Sequence, residues 1–289
     1  MSKSRYPLFI PTKGRYTTPY TIRAFERIGI DFHPVVIPDE HDKYAAIVKD
    51  PSRILVLPSD IQGLVPTRNW IWDYAQYHLK TPYFWTFDDN INRVYRFHNN
   101  MRYTMTNGIF LKIIEDFAER YSNMALSGMS YSMFHPRKRK SPPFILNTRV
   151  YSNMLIHTNI PYRNRGVYND DTDLCLRVLK DGLCIIQFNA FLVDKCATMT
   201  VTGGNTDIYQ GDGRLKMAQE LQMRHPDVVT ITRKWGRWQH QVDYRPFRNN
   251  RPILRPGVVL PDAPNNYGMV LRRRGEGEGA CEDAHADGA

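Results

Sequence analysis

The sequence has few cysteines, and no two of them are spaced to share a metal. Cys175, Cys184, Cys196 and Cys281 are the full set, and the nine histidines never fall three to five residues apart. A zinc finger or a zinc-protease helix is thereby excluded, and buried free thiols in a reducing compartment are expected. Long apolar runs are also missing. No stretch approaches the roughly 20 residues of a membrane-spanning helix, and the opening "MSKSRYPLF" lacks the apolar region of a signal peptide. The expectation is a soluble, cytoplasmic protein. Two nucleotide signatures are absent as well. There is no P-loop, and no G-x-G-x-x-G follows a strand; "GDG" at 211–213 lacks the third glycine and reads as a turn. Any phosphate must be met by a metal or by basic side chains.

What is present is a basic chain with enough apolar residues for a sizeable core. The 289 residues are 42% hydrophobic and carry a formal net charge of +10. The last fifteen, "GEGEGACEDAHADGA", hold five acids and no Lys or Arg, so residues 1–274 carry 39 − 24 = +15. A body that basic suits a polyanionic partner; the alternative is charge that serves solubility alone. The tail, of Gly, Ala and acids, predicts disorder.

Strand and helix patterns alternate along the chain. "YPLFIPTKGR" reads as a buried strand entering a loop, and "TTPYTIRAFERIG" as a helix stopping at Gly29. "DFHPVVIP" and "RILVLPS" are strands, "TRNWIWDYAQYHL" a helix, and "YFWTFDD" a fourth strand. "GIFLKIIEDFAERY" is a helix, "MALSGMSYSMF" and "VYSNMLIHTN" strands, "DDTDLCLRVLKDG" a helix ending at Gly182, and "LCIIQFNAFLV" a strand. "GDGRLKMAQELQMRH" is a later helix, followed by a basic, aromatic segment. This order predicts an α/β layered domain with a mostly parallel central sheet flanked by helices. The expected division is a core over 1–200, a C-terminal basic and aromatic extension over 201–271 packed on it, and a disordered tail over 272–289.

Two acidic clusters could carry chemistry. In open α/β sheets ligands sit beyond the carboxyl ends of strands. There "YFWTFDDN" places Asp88, Asp89 and Asn90, hard oxygen donors suited to Mg²⁺ or Mn²⁺, or else an Asx turn closing the strand. The second cluster, "YNDDTDLCLR", is either a helix start with Asp170 as N-cap and acids favoured by the helix dipole, or a carboxylate presented to a reacting hydroxyl. Arg137, Lys138, Arg139 and Lys140 could contact phosphates or form a solvated loop, and Arg233, Lys234 and Arg237 could also contact phosphates. Trp235 and Trp238 among the latter could stack on a displaced base or be core residues.

"FIPTKGR", "TRN", "FDDN" and "DDTDLCLRVLKDG", in that order over roughly residues 6–200, resemble a family 2-like nucleotide-sugar glycosyltransferase of the GT-A fold. More narrowly, "YPLFIPTKGRY", "VVIPDEHDKY", "NTRVYSNMLIHTN" and "DDTDLCLRVLKDG" resemble the TET-associated glycosyltransferases of bacteriophages. That resemblance implies an inverting, metal-dependent enzyme. It would move a sugar from a nucleotide-sugar donor, expected to be a UDP-sugar, to the hydroxymethyl group of 5-hydroxymethylcytosine or a related pyrimidine in DNA. It implies Asp171 as the general base, with Asp170 beside it where the family has Glu. Thr12, Lys13 and Arg15 would hold the nucleotide, Asp39 and Glu40 would meet its base, and Arg68 and Asn69 would lie near the diphosphate, with Asp88. Asp89 and Asn90 would ligate Mn²⁺ or Mg²⁺, with His240 as a late ligand. If the gene is a phage's, the compartment is the host cytoplasm. Two rival readings remain open: a family 2 enzyme acting on a polysaccharide or protein, and a non-catalytic DNA-binding module on the same fold.

Overall fold

The computed structural model describes residues 4–136, 141–196, 213–234, 236–260 and 263. Its central strands are buried on both faces, and their alternating side chains feed two separate cores. In β1 (Leu8–Pro11), Leu8 and Ile10 enter one core while Phe9 enters the other. In β4 (Tyr83–Phe87), Tyr83, Trp85 and Phe87 face the first core and Phe84 the second. Period-two side-chain direction forces this split, and it demands helices on both sides of the sheet.

The first layer is α1 (Tyr20–Arg27), through Ile22 and Phe25, and α4 (Ile109–Ala118), through Phe110, Leu111 and Ile114. The second is α3 (Leu64–Asp73), α5 (Asp170–Lys180) and α6 (Gly213–Arg224), through Ile71, Trp72, Leu174, Val178 and Leu221. Each fully buried aromatic contributes about 1.5–3 kcal/mol of hydrophobic stabilisation. The indole nitrogen of Trp85 is satisfied by the buried carboxylate of Glu115 at 2.8 Å, which also accepts from Arg5 N.

The sheet has ten strands in the path β3-β2-β1-β4-β9-β7-β10-β5-β6, with β8 paired to β10. The remaining ranges are β2 His33–Val36, β3 Leu55–Val56, β5 Ile91–His98, β6 Met101–Thr104, β7 Met124–Tyr131, β8 Phe144–Leu146, β9 Asn153–His157 and β10 Cys184–Lys195. β1, β2, β3, β4, β6, β7 and β10 run in one direction, and β5, β8 and β9 run against them. This is the mostly parallel, helix-flanked α/β sheet that the sequence predicts. α1 and α5 stop where expected, each followed by a glycine in the left-handed region, Gly29 (φ 67) and Gly182 (φ 77).

Three details differ from the sequence reading. The hairpin β5–β6 extends the sheet edge, turning on Asn99 and Asn100, both left-handed. The basic, aromatic segment folds as a second hairpin, β11 (Val229–Lys234) with β12 (Arg237–Val242), packed against α6. Asp170 is the first residue of α5 rather than its cap; Asn169 takes the cap position at φ 50, where its short side chain tolerates a left-handed backbone.

The segment after the hairpin returns to the core. Asn147 donates to Phe247 O and Asn250 O, and Asn123 donates to Arg251 O. Cys175 and Cys184 are buried free thiols, and Cys196 is half-buried.

Candidate active site

The site lies beyond the carboxyl end of β4, where buried strand gives way to Asp88, Asp89 and Asn90. The start of α1 fixes this turn. Thr21 Oγ1 donates to Asp88 O at 2.6 Å and accepts from Ile91 N, while Thr21 N donates to Asp89 O. With the backbone held by a neighbouring helix, the Asp88 side chain is left for other partners. Arg68 Nη2 from α3 lies 3.2 Å from its Oδ1, and Lys195 Nζ, at the end of β10, lies 2.7 Å from its Oδ2. Arg68 Nη1 also pairs with Asp170 Oδ2 at 2.6 Å. One guanidinium therefore joins the two acidic clusters that are separate in sequence.

Lys195 Nζ donates to Ser152 Oγ at 2.7 Å, and Ser152 Oγ also bonds Tyr131 Oη. Ser152 is left-handed at φ 64. Such a backbone costs on the order of 1–3 kcal/mol for a residue with a side chain. That strain sits where its hydroxyl joins the cluster.

A second chain of hydrogen bonds reaches Asp89. Arg15 N donates to Tyr44 Oη at 3.0 Å, Tyr44 Oη meets Thr12 Oγ1 at 2.7 Å, and Thr12 Oγ1 donates to Asp89 Oδ2 at 3.1 Å. Arg15 Nε lies 3.0 Å from Asp89 Oδ1. Donors pointing the same way along such a chain strengthen one another.

The carboxyls titrate far apart. Burial alone would raise the proton affinity of Asp88, but Lys195 and then Arg68 outweigh it and hold the group well below the usual carboxylate range. Asp89 is pushed up to about 6 by burial, opposed by Arg15 and aided by the Asp88 charge. Asp171 is raised by burial and by the neighbouring Asp170 and Asp88 carboxylates, with Arg68 opposing. It accepts from Thr172 N at 2.7 Å through Oδ1 and makes no ion pair among the described residues. Oppositely shifted carboxyls at one site are the usual arrangement for dividing acid–base roles.

The other residues singled out from sequence are scattered more widely. Lys13 and Asp39 are exposed. Glu40 accepts two bonds from Gly14 N and ties down the loop after β1. Asn69 spends both ends of its amide on the backbone of Asn164. His240 sits half-buried in β12; burial and the nearby Arg149 lower its pKa to about 4. Arg233, Lys234 and Arg237 occupy the tip of the β11–β12 hairpin, with the Arg233 guanidinium 5.7 Å from the ring centre of the exposed Trp238. Arg137, Lys138, Arg139, Lys140 and Trp235 lie outside the described residues.

Sequence reasoning missed Lys195, Ser152, Tyr44 and Tyr131. Lys195 had a findable signal: a lone lysine at the carboxyl end of the apolar run "FLVDK". The others are recognisable only through contacts made across the fold.

The donor set at Asp89 and Asn90 fits a hard divalent cation. Asn90 Oδ1 is buried and without a hydrogen-bond partner, and the Asp89 carboxylate beside it in sequence is destabilised by burial. An amide oxygen and a carboxylate are the donor types such a cation takes. Asp88 is less open to it, being engaged by Lys195 and Arg68. No group of three or more His, Cys, Asp or Glu is poised to hold a metal among the described residues.

Paired acids and cations beyond the carboxyl edge of a helix-flanked, mostly parallel sheet define a ligand-binding α/β protein of GT-A-like build. The chain belongs to the TET-Associated Glycosyltransferase family, whose pattern it matches over residues 6–204. It is thus a glycosyltransferase by family. No curated protein matches the sequence. Among solved structures, one described as a nucleotide-diphospho-sugar transferase from Desulfovibrio desulfuricans G20 aligns with a TM-score of 0.38 at 10% identity. That match covers 76% of this chain and 96% of the other, a likeness too low to define the fold by itself. No helix among the described residues is long and apolar enough to cross a membrane.

Proposed function

We propose that the chain moves a sugar from a nucleotide-sugar donor to the hydroxymethyl oxygen of 5-hydroxymethylcytosine, or a related hydroxymethylpyrimidine, in DNA, with inversion at the anomeric carbon. The observation that carries the chemistry is Asp171. In the first turn of α5, Asp170 is paired with Arg68, and Asp173 is paired with Arg165, Arg177 and His225. Asp171 is the acid of that turn left without an ion pair among the described residues, and its proton affinity is raised. A carboxylate in that state is suited to taking a proton from a poor nucleophile.

The step balances as a single displacement. The acceptor oxygen bonds to the anomeric carbon, the bond from that carbon to the diphosphate oxygen breaks, and its electron pair leaves with the nucleoside diphosphate. The hydroxyl proton passes to Asp171. Arg68 and Lys195 hold positive charge at the strand ends, where the departing diphosphate would gain negative charge. Asp89 and Asn90 would hold a divalent cation through their side-chain oxygens. The chemistry it supplies when bound is neutralisation of that same charge.

DNA is favoured as acceptor by the +15 balance of residues 1–274 and by the basic hairpin tip of Arg233, Lys234 and Arg237. The test is a transfer assay with labelled nucleotide sugars and Mn²⁺, offering hydroxymethylcytosine DNA, unmodified DNA and a polysaccharide. Label on the hydroxymethylated DNA alone is expected. Label on the polysaccharide, or on unmodified DNA equally, overturns the reading.

A further inference from the structure

Two large apolar side chains, Met133 and Phe134, stand at least partly in solvent on the turn that follows β7, next in sequence to Tyr131. Met133 is 71% exposed and Phe134 39% exposed. Exposure alone says little, since folded proteins carry many apolar surface atoms. The mounting is more informative. Both residues lie on the one-turn 3-10 segment Ser132–Phe134, directly after β7, and that turn is clamped at each end by polar groups. Ser132 Oγ donates to Asp194 Oδ1 at 3.0 Å. Arg102 Nη2, from β6, donates to Ser132 O at 2.7 Å and to His135 O at 3.0 Å. The His135 ring is buried, with its nitrogens 2.9 Å from Ser130 Oγ and Ser141 Oγ. The backbone is fixed, with Met133 largely in solvent and one part of the Phe134 ring left uncovered.

The turn is coupled to the reacting cluster. The Phe134 ring stacks on Tyr131, with centroids 5.8 Å apart and planes 21° apart. Tyr131 Oη bonds Ser152 Oγ, which accepts from Lys195, which pairs with Asp88. Beyond the turn, the sequence runs into the densest basic stretch of the chain, "RKRK" at 137–140. An apolar turn followed in sequence by four consecutive positive charges, on a chain body of +15, suits a partner that is anionic outside and apolar within. A DNA duplex, with phosphates around stacked bases, has that build. Wedge residues of this kind, Met and Phe among them, open a base step by entering the stack. An enzyme acting on a base in duplex DNA gains from such a device, because the target must leave the stack to reach a deep site.

We propose that Met133 and Phe134 form a wedge that enters the DNA stack and fills the space left by a base extruded toward Asp171. This rests on the reading of the chain as a DNA glycosyltransferase. Two properties follow. The wedge matters when the target base is paired and stacked, and it is dispensable when the base is already free.

The test compares the wild-type chain with the double variant Met133→Ala/Phe134→Ala and with Phe134→Leu. Three acceptors are used: hydroxymethylcytosine in a matched duplex, the same residue opposite a mismatch, and a single strand. Transfer by the double variant to the matched duplex should fall by about tenfold to a hundredfold, the order expected when support for one unstacked step is removed. The loss should shrink on the mismatch and vanish on the single strand, while Phe134→Leu, which keeps an apolar wedge, retains most of the activity. A 2-aminopurine placed next to the target should brighten on binding wild type and not on binding the double variant. Equal losses on all three acceptors, or no loss on the duplex, overturns the wedge while leaving the transferase reading intact. Transfer to no DNA by the wild-type chain overturns that reading and the wedge with it. If the double variant loses binding to anionic phospholipid vesicles and keeps its DNA behaviour, the tip is a membrane contact and the proposal fails.

Discussion

Lys195 Nζ stands 2.7 Å from Asp88 Oδ2, joining the end of β10 to the end of β4 across a sheet in which β9 and β7 separate the two strands. The pair is largely shielded, with side-chain exposures of 19% and 23%. Removing the ammonium leaves Arg68 as the one cation paired with Asp88 among the described residues. Lys195→Met should lower transfer by about a hundredfold, the size of loss seen when one charge-stabilising donor is deleted from a preorganised site.

The same variant should be more sensitive to acid. The folded-state pKa of Asp88 is depressed, so its contribution to stability is present above the unfolded value and disappears as pH falls through the folded one. Without Lys195 the depression shrinks and burial regains weight. The midpoint of acid unfolding, followed by circular dichroism, should move to higher pH. An unchanged midpoint together with unchanged transfer would show that the pair has no role.

Asp171 makes the opposite prediction. Asp171→Asn keeps the shape and removes proton acceptance, so transfer should fall by roughly two to four powers of ten. The acid limb of the wild-type rate profile should lie above the ordinary carboxylate range, because the Asp171 pKa is raised. A raised folded-state pKa means the ionised form is penalised by folding. The penalty is present at pH values above the folded-state pKa and disappears as pH falls below the unfolded one. Asp171→Asn should therefore raise Tm by a few degrees at pH 8, corresponding to about 1 kcal/mol. The gain should vanish near pH 4, about the unfolded value. If Asp170→Asn is the crippled variant and Asp171→Asn is active, the base is the neighbouring residue.

The acidic clusters were legible because each breaks a pattern. "YFWTF" is a buried strand whose next residues are acids, and "DDTDLCLRVLKDG" is an amphipathic helix that begins with them. The fold class was legible from the alternation of strands and helices. The order of strands was not: nothing local tells β9 to run antiparallel between β4 and β7. The β5–β6 hairpin did carry a signal, the Asn99–Asn100 pair between alternating apolar residues. Lys195, Ser152 and Tyr44 join the site through contacts 32 to 107 residues apart in sequence, beyond the reach of spacing arguments. The same holds for Glu40 and Asn69. Nothing in their local sequence shows that their side chains also tie down backbone, Glu40 at Gly14 and Asn69 at Asn164.

Chelation tests the role given to Asp89 and Asn90. Excess chelator should weaken donor affinity and abolish transfer, and added Mn²⁺ should restore both. Asp89→Ala should show weak donor binding with or without the metal, by calorimetry, with its fold intact. Full activity of the wild-type chain in chelator would contradict this assignment.

The basic run Arg137, Lys138, Arg139 and Lys140 should contribute to affinity rather than chemistry. Removing one phosphate-binding charge should flatten the logarithmic salt dependence of DNA binding by about one unit. The quadruple alanine variant should bind every DNA sequence more weakly and with a shallower slope, while hydrolysing the donor at the wild-type rate. An unaltered slope would transfer the DNA-binding role to Arg233, Lys234 and Arg237 on the β11–β12 hairpin.

The chemical structure of the product decides between these mechanisms and their rivals. Hydroxymethylcytosine DNA is incubated with the protein, Mn²⁺ and a panel of nucleotide sugars, then digested to nucleosides, which are weighed and assigned by NMR. Direct displacement with Asp171 as base predicts a nucleoside bearing one sugar on its hydroxymethyl oxygen, with the anomeric configuration opposite to the donor's. A product that keeps the donor's configuration would contradict that displacement. The absence of any sugar-bearing nucleoside across the panel would contradict the proposed acceptor itself.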